Sequence, residues 1–129
     1  MSVTDFGGLR AHDATSGIGY GTGAGGAVTQ ATSKTTGVTL NATSGQITMN
    51  NAALTTAPVA GFVLTNSSIE ATDTVIVNVA SAATSITSYV VGVNAVAAGS
   101  CSIFVQNISG NSLSNALVLN FTVLKGASA

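Results

Sequence analysis

Asp73-Thr74-Val75-Ile76-Val77-Asn78-Val79-Ala80 is the stretch on which the fold class turns. Val75, Val77 and Val79 recur at every second position, with Thr74 and Asn78 between them. Residues two apart share one face of a strand, whereas a helix brings together residues three and four apart. Branching at Cβ stiffens valine and isoleucine and suits them to a pleated surface. The segment therefore reads as a strand with one face turned to a core.

The same period extends outward in both directions. Residues 89–96 set Tyr89, Val91 and Val93 on one side, and residues 101–108 do so with Cys101, Ile103 and Val105. Residues 116–124 alternate Leu117, Leu119, Phe121 and Val123 against Val118, Asn120 and Thr122. Weaker strands are expected at 27–32, 37–40, 46–50 and 61–65. Ala97-Ala98-Gly99-Ser100 reads as a hairpin turn, and Ser109-Gly110-Asn111-Ser112 as a second. No 3.6-residue apolar stripe forms anywhere, and the alanine-rich patch at 51–57 stops at Pro58. About eight short strands at such spacing predict an all-β chain, an antiparallel β-sandwich that is jelly-roll-like, over residues 27–129.

Residues 1–26 differ. They hold Asp5, Arg10, His12 and Asp13, and then run into Gly17-Ile18-Gly19-Tyr20-Gly21-Thr22-Gly23-Ala24-Gly25-Gly26. Neither period is legible there, so the segment reads as an extended glycine-rich N-terminal arm that lies against something else. Tyr20, alone among glycines, resembles an anchor for a neighbour's pocket. Phe6, Tyr20, Gly21 and Gly23 are the expected contact residues of the arm.

Composition narrows the function. Of 129 residues only 5% are charged, against about 25% in ordinary soluble domains, yet 46% are hydrophobic and the net charge is -1. Three cations cannot build the basic face that nucleic acid requires. One cysteine closes no intrachain disulfide and cannot supply a thiolate zinc site. Disordered chains pair low hydrophobicity with high charge, the reverse of this one. No run approaches the ~20 apolar residues of a membrane helix, and the first residues lack the pattern of a secretory signal. The expectation is a protein made and kept inside a cell, or in an assembly formed there, with no nucleic-acid or membrane partner. Near-zero net charge does little to keep copies apart, so an oligomer is expected.

The candidate chemistry is sparse. Gly21-Thr22-Gly23-Ala24-Gly25-Gly26 matches G-x-G-x-x-G, but a strand rather than a helix follows it, so no phosphate would meet a helix N-terminus. His12, Asp13, Cys101 and the serines lack any pattern that would assemble a nucleophilic site. Glu70 and Asp73 flank a turn and are candidate calcium ligands, without the repeated acidic spacing of a calcium loop. Asn41, Asn66, Asn107 and Asn120 each begin an N-x-[ST] match, which a chain rich in Asn, Ser and Thr produces by chance. Phe62, Tyr89, Phe104 and Phe121 fall within strands and are expected in the core. No catalytic residue, metal ligand or cofactor is predicted.

Several stretches carry a resemblance: Gly19 through Lys34, Gly37-Val38-Thr39-Leu40-Asn41, Ser44 through Met49, Ala71 through Val79, Ala95 through Ser100, and Val118 through Gly126. From about residue 17 onward the chain resembles small structural proteins encoded among the head genes of tailed bacteriophages. The resemblance implies a virion component, above all a capsid decoration (cement) protein. Such a protein would be a homotrimer bound to the major capsid protein on the head surface, assembled in the host cytoplasm. It carries no catalytic or binding residues with it. An arm of this length could span tens of ångströms at ~3.3 Å per residue, and its glycines would let it add to a sheet edge. A head- or tail-fibre module binding a host surface glycan or receptor, through loops such as 81–88, is the alternative. A tail-tube subunit and a hydrolase using His12 stand behind it.

Overall fold

A computed structural model describes residues 13–57 and 59–129. These contain eight strands: β1 Ala27–Thr29, β2 Val38–Thr39, β3 Ser44–Thr48, β4 Val59–Thr65, β5 Thr74–Ser81, β6 Tyr89–Ala97, β7 Ser100–Asn107 and β8 Val118–Leu124. They form two four-stranded sheets, ordered β1-β3-β8-β5 and β2-β4-β7-β6. The all-β reading holds, and each expected strand has a counterpart. No helix among the described residues is long and apolar enough to cross a membrane.

The two sheets face each other across one core. Inward-pointing residues come from alternate positions: Ala60, Phe62 and Leu64 on β4, Cys101, Ile103 and Val105 on β7, and Leu119, Phe121 and Val123 on β8. Each fully buried large side chain stabilises the fold by about 1.5–3 kcal/mol relative to exposure. Val75 is buried on β5, while Val77 and Val79 are half-buried on the same face. Four apolar residues outside the strands, Met49, Leu54, Ile69 and Leu117, complete the core. Leu54 is held by backbone pairing with Leu113 across the connection between β7 and β8.

Three expectations are corrected. The sheets are mixed rather than purely antiparallel, because β1 pairs parallel with β3 and β2 parallel with β4. The links from β1 to β2 and from β2 to β3 cross to the facing sheet. A strand two steps later therefore returns to the first sheet running the same way. The turn at Ser109-Gly110-Asn111-Ser112 is no hairpin, since the chain passes there from β7 in one sheet to β8 in the other. Ala97-Ala98-Gly99-Ser100 is one: Ala97 pairs with Ser100, and Gly99 adopts φ +84°.

The third correction concerns Phe104. It lies on the outer face of β7, half-buried, directly between Gly61 of β4 and Gly92 of β6. A Cβ on Gly92 would come within 2.3 Å of the ring. The glycine thus makes room for an aromatic ring that covers the bare backbone beside it.

Candidate interaction surface

Most of the groups capable of chemistry are engaged in holding the fold. The Asp73 carboxylate is buried, and its Oδ2 accepts from Lys125 Nζ at 2.6 Å and from the Glu70 amide at 2.8 Å. Its Oδ1 accepts from the Gly126 amide at 3.2 Å. Lys125 also donates to the Ser68 carbonyl and pairs with the exposed Glu70 at 3.2 Å. The hydrogen bond from Lys125 is the largest cause holding Asp73 below the usual carboxylate range, and Asp73 in turn raises Lys125. The ammonium therefore stands where the calcium reading would have placed an ion. No group of three or more His, Cys, Asp or Glu able to hold a metal occurs among the described residues.

Lys34 is buried, and its ammonium donates to the carbonyls of Asn50 and Asn115. Burial lowers its pKa. Beside it the buried Gln30 side chain donates to the carbonyls of Lys34 and Thr36 and accepts from the Asn50 amide. Asn115 extends the network by accepting from Tyr89 Oη at 2.8 Å and from Thr84. Nothing in the sequence pattern marks this network, because its members are spread over four connections. Cys101 is buried, and burial pushes its thiol up to about 11, away from the reactive thiolate form.

Two of the N-x-[ST] matches also serve the interior. Asn66 and Asn107 are fully buried at the ends of β4 and β7. Each Oδ1 accepts from the amide and hydroxyl of the serine two residues on. Each Nδ2 reaches a carbonyl in another connection, Ala42 for Asn66 and Leu54 for Asn107, and that of Asn107 also donates to Asn111 in its own. Buried polar atoms need such partners, and these asparagines cannot carry a glycan in the folded chain.

The surface itself is the unusual feature. From Thr74 to Leu124 the chain contains no Asp, Glu, Lys, Arg or His. Across the outer face of the β2-β4-β7-β6 sheet, Val59, Gln106 and Val90 form one row, Gly61, Phe104 and Gly92 the next, and Val63, Ser102 and Asn94 a third. Val59, Val63 and Val90 are 56%, 46% and 46% exposed. The opposite outer face is neutral and mixed: Gln46, Asn120 and Asn78 lie abreast, with Gln46 donating to Asn120 at 3.0 Å, while Ile76 and Leu124 stand exposed further along it. At one margin the long outermost strands β5 and β6 lie against each other, while the other margin carries the short β1 and β2. The connection between β5 and β6 frames a groove of about 440 Å³ lined by Val79, Ala82, Ile86 and Tyr89. Ile86 there is fully exposed.

Within the described part of the arm, residues 13–26, the chain meets its own sandwich at Ile18 to Tyr20 and from Ala24 to Gly26. Asp13 Oδ1 accepts from the amides of Thr15 and Ser16 and from the Thr15 hydroxyl. These bonds, led by the Thr15 amide, lower its pKa to about 2. Gly21 accepts from the Ala24 amide at 3.2 Å, closing a turn in which Gly23 adopts φ +98°. Gly26 then accepts from Gln46 of β3 at 3.0 Å. The two backbones approach so closely that a Cβ on Gly45 would stand 2.7 Å from the Gly26 oxygen.

Tyr20 donates its hydroxyl to the Val123 carbonyl. The Val123 amide donates to Thr43, just before β3 begins. Amide and carbonyl of one strand residue point the same way, so the phenol caps the ladder where β3 has run out of partners. Tyr20 and Ile18 border a groove of about 350 Å³ with Ile76 and Leu124, and all four are substantially exposed. The expected anchor is thus placed on the protein's own β8. Gly21 and Gly23 shape the turn behind it, while Phe6 and His12 lie outside the described residues. Compared with protein-family models, curated proteins and solved structures, the chain matches none.

Proposed function

We propose that this chain is a bacteriophage capsid decoration (cement) protein: a homotrimer that binds the major capsid protein on the head surface, stabilises the shell and performs no catalysis. The observation that carries the reading is the uncharged stretch from Thr74 to Leu124, which forms both long edge strands and supplies β6 and β7 to the apolar outer face. Natural edge strands are usually blunted by lysine, proline or a covering element, because a row of open backbone groups recruits another chain. β5 and β6, of eight and nine residues, carry neither a charge nor a proline, although each has a register irregularity and the two lie against each other. A surface left so adherent suits a protein whose work is to associate. The resemblance to phage head proteins supplies the partner, and the nesting of β3 with β8 and of β4 with β7 fits a jelly-roll winding of the last six strands.

The test is co-sedimentation of the purified protein with heads that lack it, at about 0.05 M and about 1 M salt. Saturable binding that changes little with salt is expected. Heads that leave the protein in the supernatant would refute the reading. The groove beside Ile86 favours the second reading, a fibre module that holds a host surface group. That reading requires retention on host cells, weakened by Ile86→Ser.

A further inference from the structure

We infer that the Ile18–Tyr20 strap is exchangeable between copies, so that in the assembly Tyr20 of one chain docks in the β5–β8 groove of its neighbour. This rests on the association reading above and names the contact by which copies are joined.

The partner of the β5–β8 surface is already present, because within one chain the strap lies across it and forms one wall of the groove. Tyr20 contributes one hydrogen bond to the Val123 carbonyl, and Ile18 contributes apolar contact beside Ile76 and Leu124. Ile18 remains 66% exposed and Tyr20 43%, so the strap lies on the surface without being enclosed by the core. Between it and β1 run Gly21 to Gly26, four of them glycines, with the backbone turned at Gly23. Such a hinge lets the same strap reach its own groove or an identical one nearby. Exchange of an identical element creates no new chemistry and is a low-cost route to oligomers. The groove is also well placed for it. Ile76 lies on β5, one of the two long uncharged edges at which a second copy would arrive. Once copies are held there, the neighbour's groove competes with the chain's own at high effective concentration.

Two full-length variants test this, Ile18→Cys and Ile76→Cys, each made alone and then mixed under a mild copper–phenanthroline oxidant. A disulfide joining residues 18 and 76 in such a mixture can only be between chains, and Cys101 is buried away from the reaction. The expected result is an 18–76 cross-link, mapped by mass spectrometry, several-fold more abundant than the link between Ile18→Cys and Ile86→Cys chains. Adding Tyr20→Ala to the Ile18→Cys chain should reduce it several-fold. A mixture no better than the Ile86 control overturns the inference, whether or not a single chain carrying both substitutions closes on itself. Sedimentation velocity separates the two failures. Oligomers without the interchain link remove strap exchange alone, whereas monomers at every concentration remove the association reading as well.

Discussion

Asn66 and Asn107 close the two ends of the sandwich, each by turning its own chain and pinning a second. Replacing Asn107 by alanine would remove one of two donors from the carbonyls of Leu54 and Asn111 and the acceptor of the Ser109 amide. The expected loss is about 1–3 kcal/mol, the cost of stranding buried polar groups, read from urea denaturation. Asp73 and Lys125 make a second fastening, at the end of β8. The folded pKa of Asp73 is lowered, so its contribution is present above the unfolded value of about 3.9 and lost as pH falls through the folded one. That of Lys125 is raised, so its contribution is present below about 10.4 and lost as pH rises through the folded value. Urea midpoints of the native protein should therefore fall on both flanks, and Asp73→Asn should flatten the acid flank. At Cys101, a disulfide reagent at about pH 8 should find no thiol until the chain is unfolded. These roles were illegible beforehand. A buried asparagine in N-x-S reads like an exposed one, and nothing local tells Asp73 that its partner stands at residue 125.

The strands were legible because alternation is a local property of sequence, and burial follows it closely at Leu117, Leu119, Phe121 and Val123. Pairing is not local. Nothing in Ala27–Thr29 or Val38–Thr39 says that each will join a strand two steps ahead, so their parallel partners came only from the structure. Phe104 was misassigned for a related reason. Its strand presents Ser102 and Gln106 on the same face, which marks that face as outer, but a phenylalanine alone suggests a core. Its packing depends on two glycines in other strands. Gly92→Ala should cost about 1–3 kcal/mol by forcing the ring aside. Most of that penalty should vanish when Phe104 is already alanine, as a double-mutant cycle in urea would reveal. Gly45→Ala probes the arm's seat in the same way. The obstruction there is partly the Gly26 backbone oxygen, which cannot rotate away, so the variant should loosen β1 from β3 and speed amide exchange at Gln46.

At the scale of the molecule, scarcity of charge became a statement about place. Of the charged residues described, Lys34 and Asp73 are buried and Asp13, Glu70 and Lys125 are engaged with neighbours, leaving the surface of β5 to β8 neutral throughout. The sequence revealed that neutrality, and with it the exclusion of a basic nucleic-acid face. It did not reveal that the exposed apolar residues gather as Val59, Val63 and Val90 on one sheet and as Ile76 and Leu124 beside the strap on the other, since that depends on which strands are neighbours. A protein so arranged should self-associate with little dependence on salt, because the faces of β5 to β8 carry no charge to be screened. Apparent mass by sedimentation equilibrium should rise toward a trimer with concentration and stay nearly constant between low and high salt. The most direct measurement of the central claim is a cryo-electron microscopy reconstruction of the purified particle that contains this protein. The account predicts trimers of this sandwich at fixed sites on the outer head surface, in constant ratio to the major capsid protein. Density for it only in a tail tube or at a fibre tip, or none in the particle, would contradict it.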